Sequence, residues 1–150
     1  ITFITKVLAT SVTQAQSSRA YGLIRMADEL ESIADCLESF CIYRTRLFKQ
    51  RETLSADAWN DLMTYFNDVD SFVGRVVGAR RKRADSTRIT HLMEEGKRLN
   101  RVANSMRDRH LERLRDGTCM ALPAQTYSDM FVSMRRIKNH AINILETYAN

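Results

Sequence analysis

Apolar residues recur at spacings of three and four along nearly the whole chain, and only one proline and five glycines interrupt them. That spacing follows the 3.6-residue turn of an α-helix, and the residues that break helices are scarce. The pattern therefore predicts an all-α fold. With 150 residues, 44% of them hydrophobic and 27% charged, the chain can close one ordinary core, which excludes a disordered tail.

Local signals divide the pattern into segments. Residues 1–9 read as the end of a helix, followed by a break from Thr10 to Thr13. Thr13 with Gln16 has the form of a capping box, in which each side chain satisfies a free backbone N–H at a helix start. A long helix is expected from there to about Gln50, with the stripe Leu23, Met26, Ala27, Leu30, Ile33, Ala34, Leu37, Cys41 and Leu47. Ser55 is the next candidate cap, with Asp57 favourable in the first turn. The stripe Trp59, Leu62, Met63, Phe66, Val69, Val73, Val76 and Val77 follows and ends in the basic run Arg80 to Arg83. A turn at Ala84 to Ser86 leads to Ile89, Leu92, Leu99, Val102, Ala103, Met106, Leu111 and Leu114. Gly117 suits the left-handed cap that closes such a helix. Pro123 suits the first residue of the last one, where its missing N–H costs nothing. The final stripe is Tyr127, Met130, Phe131, Met134, Ile137, Ala141, Ile144 and Tyr148. Short connections between long helices make antiparallel neighbours, so the expected architecture is an antiparallel helical bundle.

Two of these helices echo one another. Asp28 to Leu37 aligns with Ser133 to Ile144 when Glu31 is set against Arg135, Ile33 against Ile137 and Asp35 against Asn139. The repeat predicts one domain in two parts: residues 1–52 as the end of a first three-helix unit and 53–150 as a second, complete one. The chain begins at Ile1 and not at Met, so it reads as a fragment whose first unit is truncated.

Three segments resemble PhoU-like domains. Arg19 to Asp35 resembles the third helix of a PhoU-type repeat. Arg109-His110-Leu111-Glu112-Arg113-Leu114-Arg115-Asp116-Gly117 is similar to the end of the middle helix in PhoU-like domains of bacterial sodium/phosphate cotransporters. Arg136 to Ile144 resembles the closing motif of the same domains. The resemblance implies paired three-helix repeats and a role on the cytoplasmic face of the inner membrane, in phosphate uptake or its regulation. It implies as partner the membrane transporter domain of the same full-length protein. It also implies that Glu31 and Asp35 match the family's acidic motif, which holds iron or another divalent metal in some members. A free-standing, metal-binding PhoU-type regulator of phosphate uptake is the alternative.

The residues themselves leave two readings of that acidic pair. Asp28, Glu31, Asp35 and Glu38 form a row at spacings of three and four. Such a row either holds a hard cation, with ligands from neighbouring helices, or is a solvated face with Arg25 in reach of Asp28. In the echo the pair becomes Arg135 and Asn139. His91, His110 and His140 have no partner histidine at a ligand spacing, and His140 reads as a packing or surface residue. Cys36, Cys41 and Cys119 show no CxxC spacing and fit free thiols. The methionines fall mostly on apolar stripes and read as core filler.

Net charge is +5. The Arg80 to Arg83 run suits a helix C-terminus, and it also suits an anionic lipid surface. A basic nucleic-acid binder is a weaker reading, because few aromatics interleave with the basic residues and no recognition motif is present. Pairing with a second copy would cover an apolar face left open by a truncated first unit. No phosphate loop, nucleophile elbow or HExxH points to an enzyme, and no apolar run reaches the length of a membrane helix.

Overall fold

The computed structural model describes residues 2–9, 12–81 and 85–149. All of its regular elements are helices: α1 (Thr2–Leu8), α2 (Gln14–Lys49), α3 (Ala56–Arg81), α4 (Ser86–Arg115) and α5 (Ala121–Ala149). The all-α expectation holds. Among the described residues no helix is long and apolar enough to cross a membrane. The basic run is split: Arg80 and Arg81 end α3, whereas Lys82, Arg83 and Ala84 lie outside the described residues.

The caps explain where the helices start and stop. Thr13 and Gln16 form the reciprocal capping box that opens α2. The Ser55 hydroxyl accepts from the Ala58 N–H at 3.3 Å. For α4 the cap is Asp85, whose carboxylate accepts from the Arg88 N–H at 2.8 Å. Gly117, at φ 66°, ends α4 with two reversed bonds, Gly117 N–H to the Leu114 carbonyl and Thr118 N–H to the Arg113 carbonyl. The end of α2 repeats that motif with Arg51 in the glycine position, at φ 55°. An arginine there bears a steric cost that glycine does not. Pro123 is the third residue of α5 and not the first. It still lies in the first turn, where backbone N–H groups have no partner within the helix.

The four long helices alternate in direction. α2 runs antiparallel to α5, as the pairs Arg25–Glu146 and Arg46–Asp129 require. α3 and α4 are antiparallel through Arg75–Glu95 and Asp61–Arg109. α4 and α5 are antiparallel through His110–Ser128 and Lys138–Asn100. Gly96 permits the last approach, since a Cβ there would lie 2.9 Å from Ile142 Cδ1. α5 packs against α2, α3 and α4 and is the axis of the bundle.

Each core seam advances by four and then three residues, the spacing of near-parallel knobs-into-holes packing. On α3 the buried seam is Ala58, Leu62, Tyr65, Val69, Phe72, Val76 and Ala79. On α4 it is Leu92, Gly96, Leu99, Ala103, Met106 and His110. These seams correct the expected stripes. Tyr65 and Phe72 are fully buried, whereas Val77, Leu111 and Leu114 are exposed. Gly96 and His110 hold seam positions that an apolar pattern skips. Met106, Met130 and Met134 do fill the core, but Met120 is exposed.

The largest correction falls on α2, because its expected stripe is two seams. The inner one contains Met26, Ile33, Cys36 and Phe40 of the core and the buried Leu47. Leu23, Leu30, Ala34, Leu37 and Cys41 lie roughly 100° further around the helix and are exposed.

Candidate functional site

The acidic row lies along that outer side. Asp28, Glu31, Asp35 and Glu38 are all exposed. Glu31 and Asp35 stand one turn apart, as their spacing requires. Among the described residues, no three His, Cys, Asp or Glu side chains converge closely enough to hold a metal ion. Arg25 reaches across to Glu146 on α5, at 3.1 Å.

Glu29 turns inward instead. Its position falls between Met26 and Ile33 on the inner seam, so its carboxylate enters the α2–α5 interface. There His140 Nδ1 lies 2.7 Å from one oxygen, and Asn143 Nδ2 donates to both at 3.0 and 3.1 Å. A carboxylate can only accept, so the histidine proton sits on Nδ1. This arrangement fixes the register of the two helices and binds His140 as a packing residue. The sequence held a signal for it: Glu29, Ile33 and Cys36 recur at four and three, and His140 and Asn143 are three apart. Beside it the Arg135 guanidinium lies over the Phe131 ring at 5.8 Å, and Asn139 is exposed.

The Arg109 to Gly117 motif builds the other polar cluster, at the end of the bundle where α3 starts and α4 stops. Arg109 and Arg113 stand four apart on α4 and face Asp61 of α3. Arg109 donates to it at 2.8 and 3.2 Å, and Arg113 at 3.0 Å. Burial would raise the Asp61 pKa, but the two arginines outweigh it and hold the carboxyl below its ordinary value. His110 stacks on Tyr127 of α5 at 4.5 Å, and its Nε2 lies 3.0 Å from the Ser128 hydroxyl. Burial, helped by the charge of Arg113, pushes the imidazole pKa down, so it stays neutral. Leu111 and Leu114 of the same motif point to solvent.

A cavity of about 250 Å³ opens beside this cluster, lined by Leu54, Ser55, His110, Thr118, Cys119 and Tyr127 among others. Its polar lining is hydroxyl, thiol and imidazole, with no lysine, arginine or carboxylate. It can hold a small neutral group but offers no fixed charge to anchor an ionic ligand.

Lys138 is the one fully buried ammonium among the described residues. It sits between α4 and α5, donates to Asn100 Oδ1, and has its pKa lowered by burial and by the neighbouring Arg135 charge. The cysteines are free thiols, with Cys36 buried and Cys41 exposed. The polar contacts above join helices, whereas Asp28, Glu31, Asp35 and Glu38 form no ion pair among the described residues. No protein-family model, curated protein or solved structure matches the chain.

Proposed function

We propose that this chain is a PhoU-like regulatory and docking domain that works on the cytoplasmic side of a sodium-dependent phosphate transporter. Its helices would dock on the transporter or an associated subunit and alter uptake, while transport itself belongs to a membrane domain.

The observation that carries the reading is the pairing of α2 with α5. The two echoing segments, Asp28 to Leu37 and Ser133 to Ile144, lie antiparallel and face to face. In the register set by Arg25–Glu146 and Glu29–His140, Ile33 falls opposite Ile137, its counterpart in the echo. Both are buried. Two third helices of successive three-helix units, paired about an approximate two-fold axis, give this arrangement.

The test is sodium-dependent phosphate uptake by cells expressing the full-length protein. The intact protein is compared with one lacking this region and with the variant Glu29→Ala, which loosens the α2–α5 pair. A changed uptake rate, or a changed response to external phosphate, supports the proposal. Uptake identical in all three would sink it.

A further inference from the structure

Two connections at one end of the bundle, α2 to α3 and α4 to α5, wall the cavity of about 250 Å³. A cavity of about 150 Å³ already holds a benzene ring, so this one admits a single ring with a short substituent. Its floor is Ala58, His110, Pro123, Ala124 and Tyr127, all buried. Its rim carries Thr53, Ser55, Thr118 and Met120, all exposed, so it opens to solvent. Two of the rim hydroxyls already serve their own loops. Ser55 accepts from the Ala58 N–H, and Thr118 donates to the Arg113 carbonyl.

The floor also holds two buried polar atoms with no hydrogen-bond partner, His110 Nδ1 and the Tyr127 hydroxyl. The Tyr127 hydroxyl faces the charges of Arg113, Asp61 and Arg109, none of which lines the cavity. His110 does line it and is only 7% exposed. Its Nε2 is engaged by the Ser128 hydroxyl at 3.0 Å. That leaves Nδ1 as the polar atom for a ligand to meet. Burial and the Arg113 charge keep the imidazole neutral, so it calls for a neutral partner and not an anion. In a neutral imidazole Nδ1 donates in one tautomer and accepts in the other, and the Ser128 hydroxyl suits either. A ligand hydroxyl also does both. Tyr127 carries His110 at 4.5 Å and Arg113 at 5.2 Å over its ring, which leaves its edge for the cavity. Ring edges are the positive part of the aromatic quadrupole and meet the face of a second ring. Met120, 66% exposed at the rim, is a flexible thioether able to close on such a ring.

We propose that this cavity binds a small neutral aromatic alcohol of the phenol class. Its ring lies against the apolar floor and its hydroxyl bonds to His110 Nδ1, a small turn of the imidazole presenting that atom to the cavity. The site rests on neither phosphate transport nor docking to a transporter. A ligand result and an uptake result can therefore fail separately.

The test is protection of Cys119, a free thiol of the lining, from alkylation of the purified chain, read by peptide mass spectrometry. Cys41, exposed on α2, is the internal control. Phenol at about ten times its dissociation constant should slow Cys119 labelling by roughly tenfold and leave Cys41 unchanged. Toluene has the stronger preference for apolar surroundings, so better protection by phenol than by toluene reports the hydrogen bond. His110→Phe keeps a ring in place. It should weaken phenol by roughly five- to tenfold, the loss of one hydrogen bond, while toluene keeps its affinity. Ala124→Leu fills the floor and should remove protection by both. No protection by phenol, toluene equal to or better than phenol on the wild type, or equal protection of Cys41 would overturn the proposal. The comparison of phenol with toluene needs no variant, so it decides the matter even where His110→Phe does not fold.

Discussion

α2 and α5 share a pattern and differ in fate. Each carries two apolar seams on neighbouring sides, and the two helices pack together through one seam apiece. The other seam of α5 lies under α3 and α4 and forms the centre of the core. The other seam of α2 meets none of the long helices. The contrast teaches that a heptad pattern states what a surface can pack against and not whether a neighbour is there. It also separates residues that sit only two positions apart. Glu29 anchors the interface while Glu31 faces out.

The sharpest way to break the comparison is to truncate matched residues. Met134 is fully buried and Leu30, its counterpart, is 45% exposed. Met134→Ala should cost about 2–4 kcal/mol, through lost burial and a residual cavity. Leu30→Ala should cost under about 1 kcal/mol. Urea unfolding measures both. Equal losses would mean that the outer seam is covered in solution.

Next in size are the inward and outward acids of α2. Glu29→Ala leaves His140 and Asn143 without their acceptor in a partly buried interface, for a loss of about 1–3 kcal/mol. Glu31→Ala/Asp35→Ala should leave the urea midpoint unmoved. Elemental analysis of the same variant and the wild type asks whether those two carboxylates hold metal. Stoichiometric metal in the wild type that disappears in the variant would make that row of carboxylates a metal site.

The covered seam of α5 also carries a pH dependence. His110, stacked on Tyr127, has its pKa held below the ordinary value of 6.5. The unfolded chain therefore binds the proton first, and stability falls as pH drops through and below 6.5. Asp61 adds a loss at lower pH. Its folded pKa lies below the ordinary 3.8, so its contribution is present above that value and disappears as pH falls through the folded one. His110→Phe keeps the stack and removes the imidazole, so thermal unfolding between about pH 7 and pH 5 should become flatter than in the wild type. An unchanged slope would remove His110 as the cause.

The smallest effects lie at the helix ends. Arg51→Gly relieves a left-handed residue and should stabilise by about 0.5–1 kcal/mol. Gly117→Ala at the matching cap of α4 should destabilise by about 1 kcal/mol. Thermal melts of the pair test whether both ends carry the same motif, and opposite signs are expected.

Much of the fold was legible in the sequence because its signals are local. Spacing by threes and fours marked the long helices, and Thr13, Ser55 and Gly117 marked three of their ends. The Asp85 cap falls inside the turn expected at Ala84 to Ser86. Pro123 is the third helical residue and not the first, because the first turn tolerates proline at several positions. The seams were harder to read. Gly96, His110 and Glu29 fill core-facing positions that an apolar stripe passes by, and on α3 the buried Tyr65 and Phe72 stand one residue before Phe66 and Val73, through which the expected stripe runs.

By itself the sequence determined that this chain is helical, where most of its helices start and stop, and which sides of them can pack. Those properties follow from backbone geometry, capping and residue spacing, which act over a few residues. The tertiary structure decided which packable sides are covered. It turned Glu29 inward and Glu31 outward, buried both seams of α5, and left one seam of α2 open. Burial depends on which helix lies alongside, and no spacing within a single helix encodes its neighbour.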